Sequence, residues 1–149
     1  MTAENGYIIR EAGDHDASAL ASLISQMGYP ASPEEMSGRV RTLSSLPQYR
    51  TFVAEIDGDV VGLVGAYMGY SLETSGIYGR VTALVVDEKW RGQRIGKLLI
   101  DKMETWLAQQ GALMIVLTSS SHRKGSHEFY RRNGYRDTGI RFTKSLRHS

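Results

Sequence analysis

An apolar run that leads into a basic, glycine-containing loop and then a helical repeat constrains this chain most. The run covers Val81 to Val86, and the loop ends in the sequence Arg91-Gly-Gln-Arg-Ile-Gly96. Apolar residues then recur every three or four positions as far as Leu107, which is the pattern of an amphipathic helix. The stretch therefore predicts a strand, a loop and a helix, with the last glycine of the loop in the first helical turn.

The start of this predicted helix has the chemistry of an anion site. The first backbone N–H groups of a helix lack partners within the helix, and the helix dipole adds partial positive charge. Glycine lets a ligand approach the backbone closely, and Arg91, Arg94 and Lys97 add formal charge. A phosphate or pyrophosphate suits such a site, and the alternative is an ordinary basic surface loop. The sequence contains neither the P-loop string nor the dinucleotide-binding glycine fingerprint.

Length and composition predict one globular domain, residues 1–149. A net charge of +2 is small for a nucleic-acid-binding protein, and no apolar run approaches a membrane span. Cysteine is absent, which excludes disulfides, thiolate metal ligands and a covalent cysteine intermediate. The amino-terminal residues show no signal-peptide pattern. We therefore expect a cytoplasmic protein that binds neither nucleic acid nor a membrane.

The remaining patterns alternate between strands and helices, which indicates an α/β chain. Ser32 followed by Pro-Glu-Glu is a strong helix start, and Asp57-Gly-Asp59 between apolar runs predicts a hairpin. Gly62 and Gly65 suggest a bulge or tight packing in the second strand of that hairpin, and Gly134 suits a left-handed helix end. The predicted strands are 7–12, 51–56, 60–68, 81–86 and 113–117, with helices after Asp14 or Asp16, after Ser32 and over 125–133, and a closing hairpin over 136–146.

Two motifs, in order, resemble those of the GNAT superfamily, the Gcn5-related N-acetyltransferases. Arg91-Gly-Gln-Arg-Ile-Gly96 resembles the family's Gln/Arg-x-x-Gly-x-Gly/Ala signature, although Arg94 stands where the family has glycine. His127-Glu-Phe-Tyr-Arg-Arg-Asn-Gly-Tyr135 resembles the family's Ala-x-x-Phe-Tyr-x-x-x-Gly-Phe/Tyr segment. With Arg123 and His127, the carboxyl-terminal part looks like the aminoalkylphosphonate N-acetyltransferase branch.

The resemblance implies the GNAT acyl-CoA N-acyltransferase fold, a mixed α/β sheet with flanking helices whose fourth and fifth strands splay apart. Acetyl-CoA would lie in the resulting V, and no metal ion would be required. A β-bulge near Val85 would turn an N–H towards the thioester carbonyl, and Tyr130 would give a proton to the departing thiolate. Backbone groups of Leu84, Val85 and Val86 would pair with the pantetheine arm, and amides of Arg91, Gly92, Gln93, Arg94, Ile95, Gly96 and Lys97 would hold the pyrophosphate.

The sequence indicates less clearly which residues bind the acceptor amine and take its proton. Many relatives have a glutamate near the start of the fourth strand, where this chain has Arg80 or Ala83. Glu73, in the preceding loop, or water could accept the proton of the amine. A half-buried arginine suits a phosphonate or carboxylate, so Arg80 favours an anionic amine; alternatively, it faces away and pairs with a surface carboxylate.

The expected function is direct transfer of acetyl from acetyl-CoA to a primary amine of a small molecule. An aminoglycoside acceptor, a protein acceptor and a non-catalytic acyl-CoA-binding sensor are the alternatives. An aminoglycoside is polycationic and calls for an acidic cleft, whereas the sequence shows no acidic cluster. The family resemblance also implies a homodimer.

Overall fold

The computed structural model describes residues 6–119 and 124–147. The chain forms two compact units, one ending at Leu117 and the other beginning at Thr118. No helix in the described ranges is long and apolar enough to cross a membrane. The strands are β1 Ile8–Glu11, β2 Tyr49–Ile56, β3 Asp59–Tyr70, β4 Ile77–Val86 and β5 Ala112–Leu117; the helices are α1 Ala17–Gln26, α2 Pro33–Ser44, α3 Ile95–Gln109 and α4 Lys124–Arg132.

The five strands form one mixed sheet in the order β1-β2-β3-β4-β5. Strands β1 to β4 pair antiparallel, whereas β4 and β5 pair parallel. A parallel pair needs a crossover connection, which α3 supplies. The predicted α/β class with a mixed sheet and flanking helices is confirmed.

Local sequence signals explain two of the connections. Asp57 and Gly58 have φ values of 49° and 84°, which both central residues of a type I′ hairpin turn require. At the start of α2, the Ser32 hydroxyl accepts a hydrogen bond from the Glu35 N–H at 3.1 Å, and the Glu35 carboxylate accepts one from the Ser32 N–H at 3.0 Å. This is the reciprocal cap that the sequence predicts.

Strands β3 and β4 extend further than the sequence pattern predicts. The connection between the predicted strands 60–68 and 81–86 shrinks to residues 71–76, because Gly69 pairs with Tyr78 across the hairpin. A Cβ atom at Gly69 would lie 2.8 Å from the Tyr78 ring. The tyrosine covers the glycine, so this end of the hairpin depends on a cross-strand contact that local propensity does not reveal.

The two faces of the sheet are covered by different helices. Helix α3 packs on one face through residues that are fully buried, among them Leu99, Met103 and Leu107. Gly62 and Gly79 on that face allow close approach, since a Cβ atom at Gly79 would lie 2.6 Å from Leu107 Cδ1. The other face carries the core shared with α1 and α2, which comprises Ala17, Leu20, Ala21, Leu23, Met36, Val40, Val53, Leu63 and Val85.

The second unit contains α4, which ends as predicted at a glycine in the left-handed region, Gly134 with φ 90°. The predicted closing hairpin over 136–146 is wrong, because residues 135–147 form no strand or helix. Ile140, Phe142 and Leu146 are 83%, 89% and 84% exposed. A two-stranded ribbon is marginal in water unless one face is buried, and here the apolar side chains stay on the surface.

Candidate functional site

The sheet opens along the second half of β4. The parallel pairing of β4 with β5 ends at the pair Val81–Leu117, whereas pairing with β3 continues to Val86. In the described part of the chain, residues 83–86 therefore pair on one side only. Leu84, Val85 and Val86, predicted to pair with a pantetheine arm, all lie in this one-sided stretch.

A β-bulge interrupts β4 at Thr82 rather than near Val85. Gly65 pairs with Ala83 and Ala66 with Val81, which leaves Thr82 as the extra residue. Val85 pairs in regular register with Leu63, and its side chain is buried. Gly65 has no side chain to oppose the bulge, and its carbonyl accepts a hydrogen bond from the Thr82 hydroxyl at 3.3 Å. The predicted bulge is thus present, but three residues earlier in β4.

The loop before α3 presents unpaired backbone donors. Gly92 and Arg94 both have positive φ, 82° and 66°, and no side chain caps the helix at Arg94. No described residue accepts a hydrogen bond from the backbone N–H groups of residues 91–97. The left-handed conformation at Arg94 explains why a glycine would suit this position. These N–H groups and the helix dipole form the anion-binding arrangement that the sequence predicts.

The cationic side chains of this loop differ in the groups that they contact. The Lys97 ammonium lies 3.0 Å from Asp101 Oδ2, one turn further along α3. Arg91 donates through Nε to the Val86 carbonyl at 3.4 Å. Arg94 is exposed and forms no ion pair with a described residue.

Tyr130, predicted to be the proton donor, lies in α4 of the second unit. Its ring meets those of Phe129 and Tyr135 edge to face, with centroids 5.4 and 5.7 Å apart. The Tyr135 N–H donates to the Tyr130 carbonyl at 3.0 Å, where the helix ends. An aromatic cluster thus holds the Tyr130 ring. Arg123 lies outside the described residues.

Arg80 and Glu73 occupy different surroundings. Arg80 pairs with Tyr67 on β3, so both lie on the face of the sheet that carries Gly65 and Leu63. Arg80 is half-buried, and no carboxylate of a described residue lies within ion-pair distance of it. Glu73 is exposed in the loop between β3 and β4.

A cavity of about 370 Å³ lies between α1, α2 and the sheet. Thr82 and Ala83 of β4 line it, whereas Arg80 and Glu73 do not. Its lining is mainly apolar: Ala12, Leu20, Ile24, Met36, Val40, Leu43, Leu46, Pro47, Leu63 and Ala83, with Glu11, Arg39, Ser44, Tyr49, Arg50, Thr51, Gly65 and Thr82 as the other members.

The polar groups of this cavity were not predicted from the sequence. The Tyr49 hydroxyl lies 2.6 Å from Thr82 Oγ1, and burial raises the pKa of Tyr49 despite that hydrogen bond. Arg50 forms an ion pair with Glu11, whereas Arg39 is exposed on α2. The sequence did contain a signal for Tyr49. Side chains alternate between the two faces of a strand, so Tyr49 lies on the same face of β2 as Thr51.

Comparisons with known proteins agree with this architecture. The model of the acetyltransferase (GNAT) family matches residues 17–135. An aminoalkylphosphonate N-acetyltransferase of Salmonella typhimurium is 37% identical over 90 residues, a stretch that spans 60% of this chain and only 58% of the relative. An IAA acetyltransferase of Azospirillum brasilense is 31% identical over 111 residues, 74% of this chain and 69% of the relative.

The fold recurs in a solved aminoglycoside N-acetyltransferase in complex with CoA, with a TM-score of 0.82. The superposition covers 94% of this chain and 95% of that one at 18% identity, so it concerns the fold alone. The family match spans both predicted motifs, from α1 to Tyr135. The chain therefore belongs to the GNAT acetyltransferase family.

Proposed function

We propose that this protein transfers the acetyl group of acetyl-CoA directly to a primary amine of a small molecule. The unpaired N–H groups of residues 91–97, next to the one-sided stretch of β4, are the observation that carries the proposal. Backbone N–H groups at a helix start suit a pyrophosphate, and an unpaired strand edge suits an extended amide-containing arm. Both features fit CoA, so residues 84–86 would bind its arm and residues 91–97 its pyrophosphate.

Acetyl-CoA, when bound, supplies the acetyl group as a reactive thioester. The chain must then hold a neutral amine close to the thioester carbon, and such positioning can contribute about 7–11 kcal/mol. Tyr130 is our candidate for the proton donor to the departing thiolate. An ordinary tyrosine hydroxyl carries its proton at neutral pH, so it can donate that proton when the thiolate forms. We propose that solvent water takes the proton of the amine, since Glu73 does not line the cavity and Glu11, which does, forms an ion pair with Arg50.

We further propose that the acceptor amine carries an anionic group, as an aminoalkylphosphonate does. Arg80 is a half-buried cation on the cavity side of the sheet, without a carboxylate partner among the described residues. Arg39 adds a second cation at the lining of the cavity. A guanidinium binds phosphonate or carboxylate through paired hydrogen bonds, and the name of the Salmonella relative agrees with this substrate class.

A panel of amines tests the acceptor class. CoA release would be measured with an aminoalkylphosphonate, an amino acid, a polyamine and an aminoglycoside, for the native protein and for Arg80→Ala, Arg39→Ala and Arg41→Ala. Arg41 is exposed on α2 outside the cavity and serves as the matched control. We expect the native protein to prefer the anionic amines. Arg80→Ala should lower kcat/KM for these amines alone, by a factor that corresponds to about 1–3 kcal/mol.

The other outcomes point to the alternative functions. A preference for polycations, or no selective loss in Arg80→Ala, contradicts the anionic acceptor. Acetyl-CoA binding without CoA release with any amine indicates a sensor. Acetylation of peptides but of no small amine indicates a protein acceptor.

We also propose that the protein forms a homodimer. In the described part of the chain β5 is an edge strand of the sheet, and it exposes Leu113 and Met114, 71% and 54% accessible. Exposed apolar edge strands favour pairing with another chain. Light scattering after size-exclusion chromatography measures the mass directly, and a monomer at micromolar concentration contradicts the proposal.

A further inference from the structure

The hydroxyls of Tyr49 and Thr82 lie where the cavity meets the one-sided stretch of β4. Thr82 is the first residue of β4 beyond its last pair with β5, Val81–Leu117. It also lines the cavity, as does Tyr49. An acceptor held in the cavity would thus reach β4 at Thr82, next to residues 84–86, which are proposed to bind the CoA arm. The amine and the thioester would meet there.

The hydrogen bonds fix which atoms this pair can offer to a ligand. Thr82 donates its only hydroxyl proton to the Gly65 carbonyl at 3.3 Å. The Tyr49 hydroxyl lies 2.6 Å from Thr82 Oγ1, where either hydroxyl can donate, and Tyr49 is the donor when Thr82 directs its proton to Gly65. In that arrangement both protons are used within the protein, and the two hydroxyl oxygens present lone pairs to the cavity. Such a pair accepts hydrogen bonds and has no proton left to donate.

The bulge and a glycine hold the pair in place. The bulge turns Thr82 towards the cavity side of β4, and Gly65 leaves the space that the Tyr49 hydroxyl fills. A Cβ atom at Gly65 would lie 2.9 Å from that hydroxyl. The Tyr49 ring is also stacked on Tyr67, with centroids 6.3 Å apart and planes 21° from parallel. These contacts fix the direction in which the lone pairs point.

We infer that Tyr49 and Thr82 bind and orient the acceptor amine by accepting hydrogen bonds from its N–H groups. An amine is rich in N–H donors, and of the other side-chain acceptors among the lining residues Glu11 is paired with Arg50, which leaves Ser44 and Thr51. The inference rests on the proposed acetyl transfer and identifies the residues that position the amine. Because burial raises the pKa of Tyr49, the phenol stays neutral near pH 7. It therefore orients the amine rather than removing its proton.

The test compares variants that delete one oxygen each. Tyr49→Phe and Thr82→Val remove the hydroxyls and keep the shape, and Thr82→Ser restores the oxygen. Tyr67→Phe is the matched control, because Tyr67 stacks on Tyr49 but does not line the cavity. Steady-state kinetics with the best amine of the panel would be combined with calorimetric titration of acetyl-CoA and with NMR titration of the amine.

We expect Tyr49→Phe and Thr82→Val to lower kcat/KM for the amine about 10- to 100-fold. Acetyl-CoA affinity should change less than about twofold, and Thr82→Ser and Tyr67→Phe should remain near native. Near-native kcat/KM for the amine in both deletion variants overturns the inference. So does an equal loss with Tyr67→Phe, or a loss that Thr82→Ser fails to restore.

Failure of the proposed function would look different. A native protein that binds acetyl-CoA but acetylates no amine contradicts the acetyl transfer itself. NMR titration then still tests the pair, since an amine that binds the native protein should bind Tyr49→Phe at least about tenfold more weakly. The absence of amine binding to the native protein would overturn the inference as well.

Discussion

The hydroxyl of Tyr7 donates a hydrogen bond of 2.6 Å to Oε1 of Gln93. Tyr7 precedes β1 and is only 4% exposed, whereas Gln93 lies in the loop whose backbone N–H groups form the proposed pyrophosphate site. The Tyr7 ring also meets the Trp90 ring edge to face, at 6.3 Å and 84°. The amino-terminal segment therefore holds the loop on both sides of Arg91 and Gly92 before any ligand binds.

Removal of the Tyr7 hydroxyl should weaken acetyl-CoA binding through the loop, without a direct contact between Tyr7 and the ligand. Tyr7→Phe keeps the ring against Trp90 but deletes the hydrogen bond, which is worth about 0.5–1.5 kcal/mol. We expect acetyl-CoA affinity to fall about 2- to 10-fold, because a less restrained loop must be ordered on binding. Calorimetric titration measures this, with Tyr29→Phe, at an exposed position, as control. Equal affinities for the two variants contradict the anchoring role.

A negative charge at Gly96 should oppose the pyrophosphate directly. Gly96 is the second residue of α3, where an aspartate interacts favourably with the helix dipole, so the fold should be retained. We expect Gly96→Asp to lower acetyl-CoA affinity at least about tenfold, or 1.4 kcal/mol. Gly96→Asn has the same size without the charge and should lose less. Unchanged acetyl-CoA affinity in Gly96→Asp would contradict the proposal that this loop binds the pyrophosphate.

Substitution of Tyr130 should affect chemistry rather than binding. Tyr130→Phe removes the proposed proton donor and keeps the ring between Phe129 and Tyr135. We expect kcat to fall about 10²- to 10⁴-fold, with little change in acetyl-CoA affinity. Tyr70→Phe, at an exposed hydroxyl, is the control. Near-native kcat for Tyr130→Phe, once single-turnover measurements show that chemistry limits the rate, excludes the acid role.

Local patterns in the sequence predicted the parts of the fold that local interactions stabilise. The capping box at Ser32, the hairpin turn at Asp57 and the left-handed helix end at Gly134 each involve residues a few positions apart. Apolar residues that recur every 3.6 or every 2 positions predicted the helices and the strands, because these patterns also involve residues close together in the chain. The loop at residues 91–97 was predicted as an anion site because its backbone donors belong to the start of one helix.

The remaining features depend on partners that are distant in sequence. The bulge at Thr82 arises opposite Gly65, and the Tyr49 hydroxyl gains its role only because both residues approach it across the sheet. The extension of β3 and β4 depends on Tyr78 covering Gly69. The wrong hairpin over 136–146 has the same origin: alternating apolar residues indicate a strand only where another surface buries them.

Close packing of α3 on β4 makes Gly79 sensitive to a single methyl group. A Cβ atom there would lie 2.6 and 2.8 Å from the two Leu107 methyl carbons, and Leu107 is fully buried. We expect Gly79→Ala to lower the free energy of unfolding by about 1–3 kcal/mol. Gly38→Ala, in α2 with nothing within 4 Å, should raise it by about 0.5–1 kcal/mol. Denaturant titration measures the free energy of unfolding of both variants. Equal changes in the two would contradict the close packing of Gly79 against Leu107 as the cause.

The buried carboxylate of Asp16 should make the stability of the fold depend on pH. Asp16 is 3% exposed and accepts hydrogen bonds at 2.8 Å from both terminal nitrogens of Arg10 and from the Gly13 N–H. Burial alone would raise the pKa of Asp16, but these hydrogen bonds outweigh it and hold the pKa below its ordinary value. Glu55 also accepts a hydrogen bond from Arg10, at 3.0 Å, so Arg10 keeps one partner if Asp16 is lost.

A folded-state pKa below the unfolded value of about 3.9 means that the ionised form stabilises the fold. This stabilisation is fully present above about pH 4 and is lost as the pH falls through the folded-state pKa. Asp16→Asn should therefore lower the free energy of unfolding by about 1–3 kcal/mol at pH 7, and the difference from the native protein should shrink below about pH 4. Urea titrations at several pH values measure this difference, with Asp14→Asn, at an exposed position, as control. A difference that stays constant from pH 7 down to acid unfolding would mean that the shape of Asp16, rather than its charge, stabilises the fold.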